Sequence, residues 1–277
     1  MSDAPKPPTK SHGRKSIRAS AQPQELITST PRLKDAWAVQ VITLLPDAFP
    51  GILGESLTGR ALHDGLWTLE AIDLRRFGEG RHRNVDDTPA GGGAGMVLRA
   101  DVMTAAIEAA RKTAAPGAPL IYLSPRGERF DQAMAEELSQ TPGLTLICGR
   151  FEGLDQRVID HYGAREVSLG DYVLTGGEIA AQAMIDAALR LRPGILGNEA
   201  SAAEESHTNG LLEHPQYTKP AIWQGREIPP VLMSGHHGEI AKWRRAQGEA
   251  LTQARRPDLW AAHEAATAAK PTTKRLK

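Results

Sequence analysis

The residues best suited to chemistry in this chain gather in three glycine-bearing loops, each placed just after a run of aliphatic and β-branched residues. They are Ser124-Pro125-Arg126-Gly127, Gly149-Arg150-Phe151-Glu152-Gly153 and Gly170-Asp171-Tyr172-Val173-Leu174-Thr175-Gly176-Gly177. Glycine permits close backbone approach and positive φ, so such loops can cradle a flat or bent ligand through main-chain N–H and C=O groups. One arginine and two carboxylates punctuate the last two loops. So sparse a charge suits a ligand with an adenine and a ribose better than a triphosphate. The competing reading of any one loop is that its glycines only turn the chain.

Other candidates stay ambiguous on their own. Arg190 follows Asp186 by four residues, the spacing of an ordinary helix ion pair. Glu199, Glu204 and Glu205 lie in a small, polar stretch (GNEASAAEESHTNG, 197–210) that reads as a solvated linker. Arg81, His82 and Arg83 share a charged loop with Asp86 and Asp87, and Lys242, Trp243, Arg244 and Arg245 form a basic helical patch. Either group can attract phosphate or simply face solvent; Trp243 reads as core. The lone cysteine, Cys148, sits in an apolar run, as a packed thiol does.

Several chemistries drop out. The glycine cluster GGGAGM (91–96) has Met96 where G-x-G-x-x-G needs its last glycine. The phosphate loop G-x-x-x-x-G-K-[ST], H-E-x-x-H and G-x-S-x-G are missing. Nine histidines show no ligand spacing, so no metal-binding residue is assigned.

Loops of this kind need strands behind them. Short apolar runs at 38–45, 66–74, 118–124, 144–149 and 164–170 alternate with helical patterns at 51–63, 100–112, 131–139, 154–161 and 178–191. That alternation predicts an α/β fold with a parallel sheet covered on both faces, whose loops at the carboxyl ends of the strands share one edge where ligands bind. Thr175 and Glu178 have the spacing of a capping box for the helix that follows. A proline-punctuated stretch and a helix at 236–250 come after the linker.

The chain has 33 basic and 33 acidic residues, and the balance hides an asymmetry. Residues 1–37 carry +4, residues 264–277 carry +3, and the stretch between them carries −7. Bulk charge therefore gives no argument for a nucleic-acid partner. Residues 1–37 lack an apolar stretch and are expected to be disordered, with no secretory leader. No apolar run approaches the ~18 residues of a membrane span. One cysteine excludes a disulfide framework and points to a reducing, cytoplasmic setting. The expected layout is a disordered extension (1–37), an α/β domain (38–196), a flexible linker (197–210), a smaller domain (211–263) and a loose basic tail (264–277).

At these residues the sequence resembles the TrmD family, the bacterial tRNA (guanine-N1)-methyltransferases of the SPOUT superfamily. The likeness runs from about Val41 to about Leu259 and takes in the three loops, the GGGAGM cluster and Leu45-Pro46-Asp47-Ala48-Phe49. It also covers Arg81 to Asp87, His214-Pro215-Gln216-Tyr217-Thr218-Lys219-Pro220 and IPPVLMSGHHGEIAKWRR (228–245). The resemblance implies a homodimer with active sites between subunits and a trefoil-knotted α/β domain that holds S-adenosylmethionine in a bent shape. It implies a small, mostly helical C-terminal domain that helps grip tRNA, and methylation at N1 of guanine 37 when guanine 36 precedes it. The partner is tRNA, not DNA or a membrane, and magnesium dependence is implied without a site.

Carried over by position, Leu123, Ser124, Pro125, Gly127, Gly149, Glu152, Leu169, Gly170, Tyr172, Leu174, Gly176 and Gly177 would line the cofactor site. Arg81, Arg83, Lys242, Arg244 and Arg245 would contact RNA. Guanine N1 carries a proton at neutral pH, and its loss puts negative charge on O6, so the reaction wants a carboxylate base and a cationic donor. The resemblance assigns Arg190 as the cation and Glu205 as the base, with Glu204 as fallback. Glu205 stands where the family has aspartate; Phe151 replaces a usual tyrosine, Ala94 a usual proline and His236 a usual Asn or Asp. Two other classes compete: an RNA-binding protein of the same fold that has lost transfer, and a dinucleotide oxidoreductase, which the missing G-x-G-x-x-G disfavours.

Overall fold

The computed structural model describes residues 36–196, 206–207 and 210–269. Five strands, β1 (Trp37–Thr43), β2 (Trp67–Asp73), β5 (Leu120–Arg129), β6 (Gly143–Cys148) and β7 (Arg165–Ser168), form one sheet in the order β2-β1-β6-β5-β7. Every pairing in it is parallel. Between β2 and β5 lie a two-residue ribbon, β3 (Asp86–Asp87) with β4 (Val97–Leu98), and helix α2 (Ala100–Arg111). The remaining helices of this part are α1 (Ser56–His63), α3 (Gln132–Ser139), α4 (Gln156–Tyr162) and α5 (Glu178–Leu189). All five expected strands and the helices between them form, and the parallel sheet is as expected.

Alternation along the strands sets the layers. Val39 and Val41, Ile121 and Leu123, and Leu144, Leu146 and Cys148 point to one face, where Met134 and Leu138 of α3 and Ala181, Met184, Ile185 and Ala188 of α5 cover them. Ile42, Tyr122 and Ile147 point the other way, into α2 and α4. Gln40 and Thr145 are buried polar residues of that second face, and Thr145 Oγ1 donates to Gln40 Oε1 at 3.1 Å. The Gln40 amide donates to Glu70 at 2.8 Å, the Ala110 carbonyl at 3.1 Å and Thr113 at 2.7 Å, which meets the requirement that buried polar groups find partners.

Three expectations are corrected here. Order starts before residue 38: Trp37 opens β1, fully buried and in register with the fully buried Trp67, so apolar burial outweighs the polar composition of the segment ahead of it. The capping box does not form. Gly177 takes the N-cap position and Glu178 is the first helical residue, too early to reach back to Thr175. The boundary at 263 falls inside a helix, α8 (Pro257–Ala269), so the first residues of the expected loose tail are helical.

Beyond the linker come a ribbon of β8 (Ile222–Trp223) and β9 (Arg226–Glu227), the short α6 (Pro230–Met233) and the long α7 (His237–Arg255). The Leu212 N–H donates to Thr252 Oγ1 of α7 at 2.8 Å, tying the proline-punctuated stretch to that helix. Residues 1–35 and the expected bases Glu204 and Glu205 lie outside the described residues. Among the described residues, no helix is long and apolar enough to cross a membrane.

Candidate active site

The three loops converge. Two leave β6 and β7 at the carboxyl edge of the sheet, whereas 124–127, expected as a loop, lies within β5 where its register against β7 shifts between Leu123 and Glu128; together they line a cavity of about 230 Å³. Leu123, Val167, Leu169, Leu174 and Ala180 give it apolar lining, and the segments 149–153 and 175–177 complete its wall. Ten of the twelve expected cofactor residues line it. Gly127 and Gly170 do not. A Cβ at Gly127 would fall 2.4 Å from the Glu166 carbonyl carbon and the Val167 amide, so this glycine lets β5 return against β7. Gly170 shapes its loop instead: its carbonyl accepts from Ser168 Oγ at 2.9 Å and from the Tyr172 N–H at 2.8 Å.

A buried ion pair braces the rim. Glu178 is only 5% exposed. Its carboxylate accepts from Arg150 Nη2 at 2.9 Å and Nε at 3.1 Å, and from Thr43 Oγ1 at 2.7 Å. The Leu45 N–H in turn donates to Thr43 Oγ1 at 3.0 Å. The end of β1, the loop after β6 and the start of α5 are thus joined through one carboxylate. Sequence reasoning missed this because Glu178 matched a helix-start pattern; its partners lie 28 and 135 positions away.

The cavity is poor in available charge. Arg150 is engaged by Glu178, and Arg126, also on the rim, approaches Glu166 at 3.3 Å. No cluster of cations among the described residues faces the cavity as a triphosphate requires. Glu152 supplies a carboxylate, and its N–H donates to the Met96 carbonyl at 2.9 Å, so the GGGAGM loop lies against the site. Behind the rim, burial first and the neighbouring Glu178 second push the Cys148 thiol well above its ordinary pKa. Cys148 is therefore a packed neutral thiol, not a nucleophile. Burial also raises Tyr122, whose hydroxyl accepts the Leu154 N–H at 3.1 Å.

The other expected site residues lie apart. Arg190 is the C-cap of α5, whose opposite end meets the cavity; twelve helical residues put it about 18 Å along the axis. Its main-chain N–H donates to the Asp186 carbonyl at 3.1 Å. Arg81 and Arg83 are exposed in the turn before β3. Lys242 pairs with Glu239 and Arg245 with Glu249, both at 2.8 Å on the surface of α7, where such pairs contribute little. Trp243 is half-buried between the rings of His214 and Tyr217, consistent with packing rather than display.

Fold and site together define a parallel α/β protein with a nucleoside-sized cleft at the carboxyl edge of its sheet. The profile of the family described as "tRNA (Guanine-1)-methyltransferase TrmD" matches residues 37–262. The chain belongs to this family. It is 66% identical over 239 residues to the tRNA (guanine-N(1)-)-methyltransferase of Ruegeria pomeroyi, covering 86% of this chain and 98% of the relative. It is 66% identical over 230 residues to the enzyme of that name from Roseobacter denitrificans, covering 83% and 95%. The enzyme of that name from Bradyrhizobium diazoefficiens is 58% identical over 238 residues, 85% of this chain and 91% of its own length.

Proposed function

We propose that this chain methylates N1 of guanine 37 in tRNA, where guanine 36 precedes it, with S-adenosylmethionine held in the cavity of the three loops. The observation that carries the reading is that cavity, built from the motifs that the chain shares with the family. An apolar lining and the Glu152 carboxylate suit an adenosine with a cationic, amine-bearing tail. When bound, S-adenosylmethionine supplies an electrophilic methyl group.

The chain's own work is on the guanine. Glu205 accepts the N1 proton, which raises nucleophilicity at N1, and Arg190 donates to O6 as negative charge gathers there. Glutamate in place of aspartate adds one methylene, which carries its carboxylate about 1 Å further from its own backbone.

The remoteness of Arg190 from its own cavity supports an active site shared between two copies of the chain. So do apolar side chains left in solvent: Val173, which lines the cavity, is 81% exposed, Ile179 in the first turn of α5 63% and Ile52 70%. Exposed apolar residues of this density mark association surfaces. A homodimer brings the Glu205 and Arg190 of one copy to the cleft of the other.

A trefoil knot in the segment 124–177 completes the reading. Chains are ordinarily unknotted. Here the chain leaves β7 at one edge of the sheet and crosses back to β6, where the Gly177 N–H donates to the Gly149 carbonyl at 2.9 Å. That return past the 124–127 loop is the close passage that a threaded chain needs. The segment 211–263 acts as a tRNA-gripping domain on the linker 197–210, in the cytoplasm. Among the described residues no three His, Cys, Asp or Glu side chains gather to hold a metal ion, so magnesium is assigned no residue and no step.

The test is a reverse-transcription stop at the guanine 3′ to the anticodon, after unmodified tRNA is incubated with the protein and S-adenosylmethionine. A stop only when both are present supports the reading. Unstopped transcripts with tightly bound tRNA support instead an RNA-binding protein without transfer.

A further inference from the structure

A second concavity, of about 330 Å³, lies wholly in the C-terminal part of the chain, between the 214–221 stretch and helices α6 and α7. The mechanism above does not use it. We propose that it holds one unstacked nucleobase of the bound tRNA, with Tyr217 as the stacking surface and Lys219 and Arg244 on the adjoining phosphates. This rests on the proposed tRNA substrate and names a contact within it.

Four features of the cavity carry the argument. Its wall combines an aromatic ring with aliphatic side chains: Tyr217 is 47% exposed, and Ile228, Leu232 and Met233 lie across from it. The Tyr217 ring is held from behind by Trp243, edge-on at 6.1 Å between centroids, so one edge is fixed while the ring still meets solvent. Base stacking on such a ring is indifferent to sequence, because every base has a π-face.

Charge is one-sided. Lys219 and Arg244 line the cavity, and among the described residues no aspartate or glutamate does. In a chain whose segment 38–263 carries −7, cations at a concavity suit an anionic backbone.

The main chain of the stretch is available. Residues 214–219 belong to neither helix nor strand, and none of their backbone N–H or C=O groups bonds to another described residue. Backbone outside helix and sheet, beside an aromatic ring, offers donors and acceptors to the edges of a base. A duplex cannot enter a concavity of this size, whereas bases splayed from a loop can, as sequence-reading RNA modules commonly exploit.

The occupant is thus a nucleotide unit of single-stranded tRNA, tested by binding rather than turnover. Equilibrium filter binding with unmodified tRNA should show Tyr217→Ala weakened about ten-fold, within the range measured for losing one stacked base. Tyr217→Phe, which keeps the ring, should stay within two-fold of the native protein. Lys219→Gln, an exposed change that leaves the ring packing alone, should lower the slope of log affinity against log salt by about one.

A set of tRNAs, each with one abasic position in the anticodon arm, identifies the base. One position should weaken the native protein as much as Tyr217→Ala does and should cost that variant nothing more. Affinity within two-fold of native for Tyr217→Ala, or no abasic position whose cost the variant absorbs, overturns the proposal. If the native protein binds with this pattern yet gives no reverse-transcription stop, the proposed function fails and the nucleobase site stands. If it methylates tRNA while its affinity ignores Tyr217, the function stands and the nucleobase site fails.

Discussion

A Cβ added to Gly176 would lie 2.6 Å from the carboxylate of Glu178 and 2.3 Å from Nε of Arg150. This glycine therefore clears space for the ion pair that braces the cavity, beyond turning the chain. Breaking a buried pair by removing one partner costs about 3–5 kcal/mol, and the partly exposed Arg150 lowers that to about 2–3 kcal/mol for Glu178→Gln. Gly176→Ala should weaken S-adenosylmethionine binding at least ten-fold by forcing the pair apart, read by titration calorimetry. The double variant Gly176→Ala with Glu178→Gln should be markedly less destabilised than the sum of the singles, because a pair already forced apart has little left to lose. Additive effects would detach Gly176 from the pair.

Glu205→Ala should abolish methyl transfer in single turnover and leave S-adenosylmethionine affinity within a few-fold. Glu205→Asp, which restores the family residue, should retain activity. Full activity in the alanine variant would move the base elsewhere, and Glu204→Ala tests that neighbour by the same assay.

If each active site joins one copy's cleft to the other's linker, inactive variants should complement. Glu205→Ala mixed with Gly176→Trp, after dissociation and reassembly, should recover about a quarter of native activity, because half the dimers are mixed and each keeps one intact site. Ile179→Glu should shift the protein toward monomer in sedimentation and lower activity with it. Silent mixtures of two well-folded variants would place both parts of the site in one chain.

Cys148 gives a pH prediction. Its folded pKa is raised, so the native state holds the thiol proton more tightly than the unfolded chain does. That contribution is complete below the unfolded value, about 8.5, and is lost as pH rises through the folded one. Between pH 8 and 10 urea denaturation should show stability falling by up to about 2 kcal/mol through this group, at 1.36 kcal/mol per unit. Cys148→Ala should flatten that part of the slope. A thiol reagent should label Cys148 at pH 8 only after unfolding; rapid labelling of the native protein would contradict its burial.

Much of the fold was written in local pattern. Five apolar runs alternating with helical periods sufficed for a covered parallel sheet, because side chains alternate along a strand and recur every 3.6 residues along a helix. Glycines after three of those runs sufficed to name the segments that meet in the cavity, although the first is an irregularity within β5 and not a loop. Pairwise, nonlocal relations were out of reach. The burial of Trp37 against Trp67, the ties from Glu178 to Thr43 and Arg150, and the distance from Arg190 to its own cleft join positions that no local window contains. The sequence by itself determined which segments become strands, helices and glycine loops, since short-range sterics and hydrophobic period govern those. Only the tertiary structure decided that a presumed cap is a buried brace and that two glycines make room for the protein's own atoms. Such facts follow from which distant groups compete for the same few cubic ångströms, and packing alone sets that.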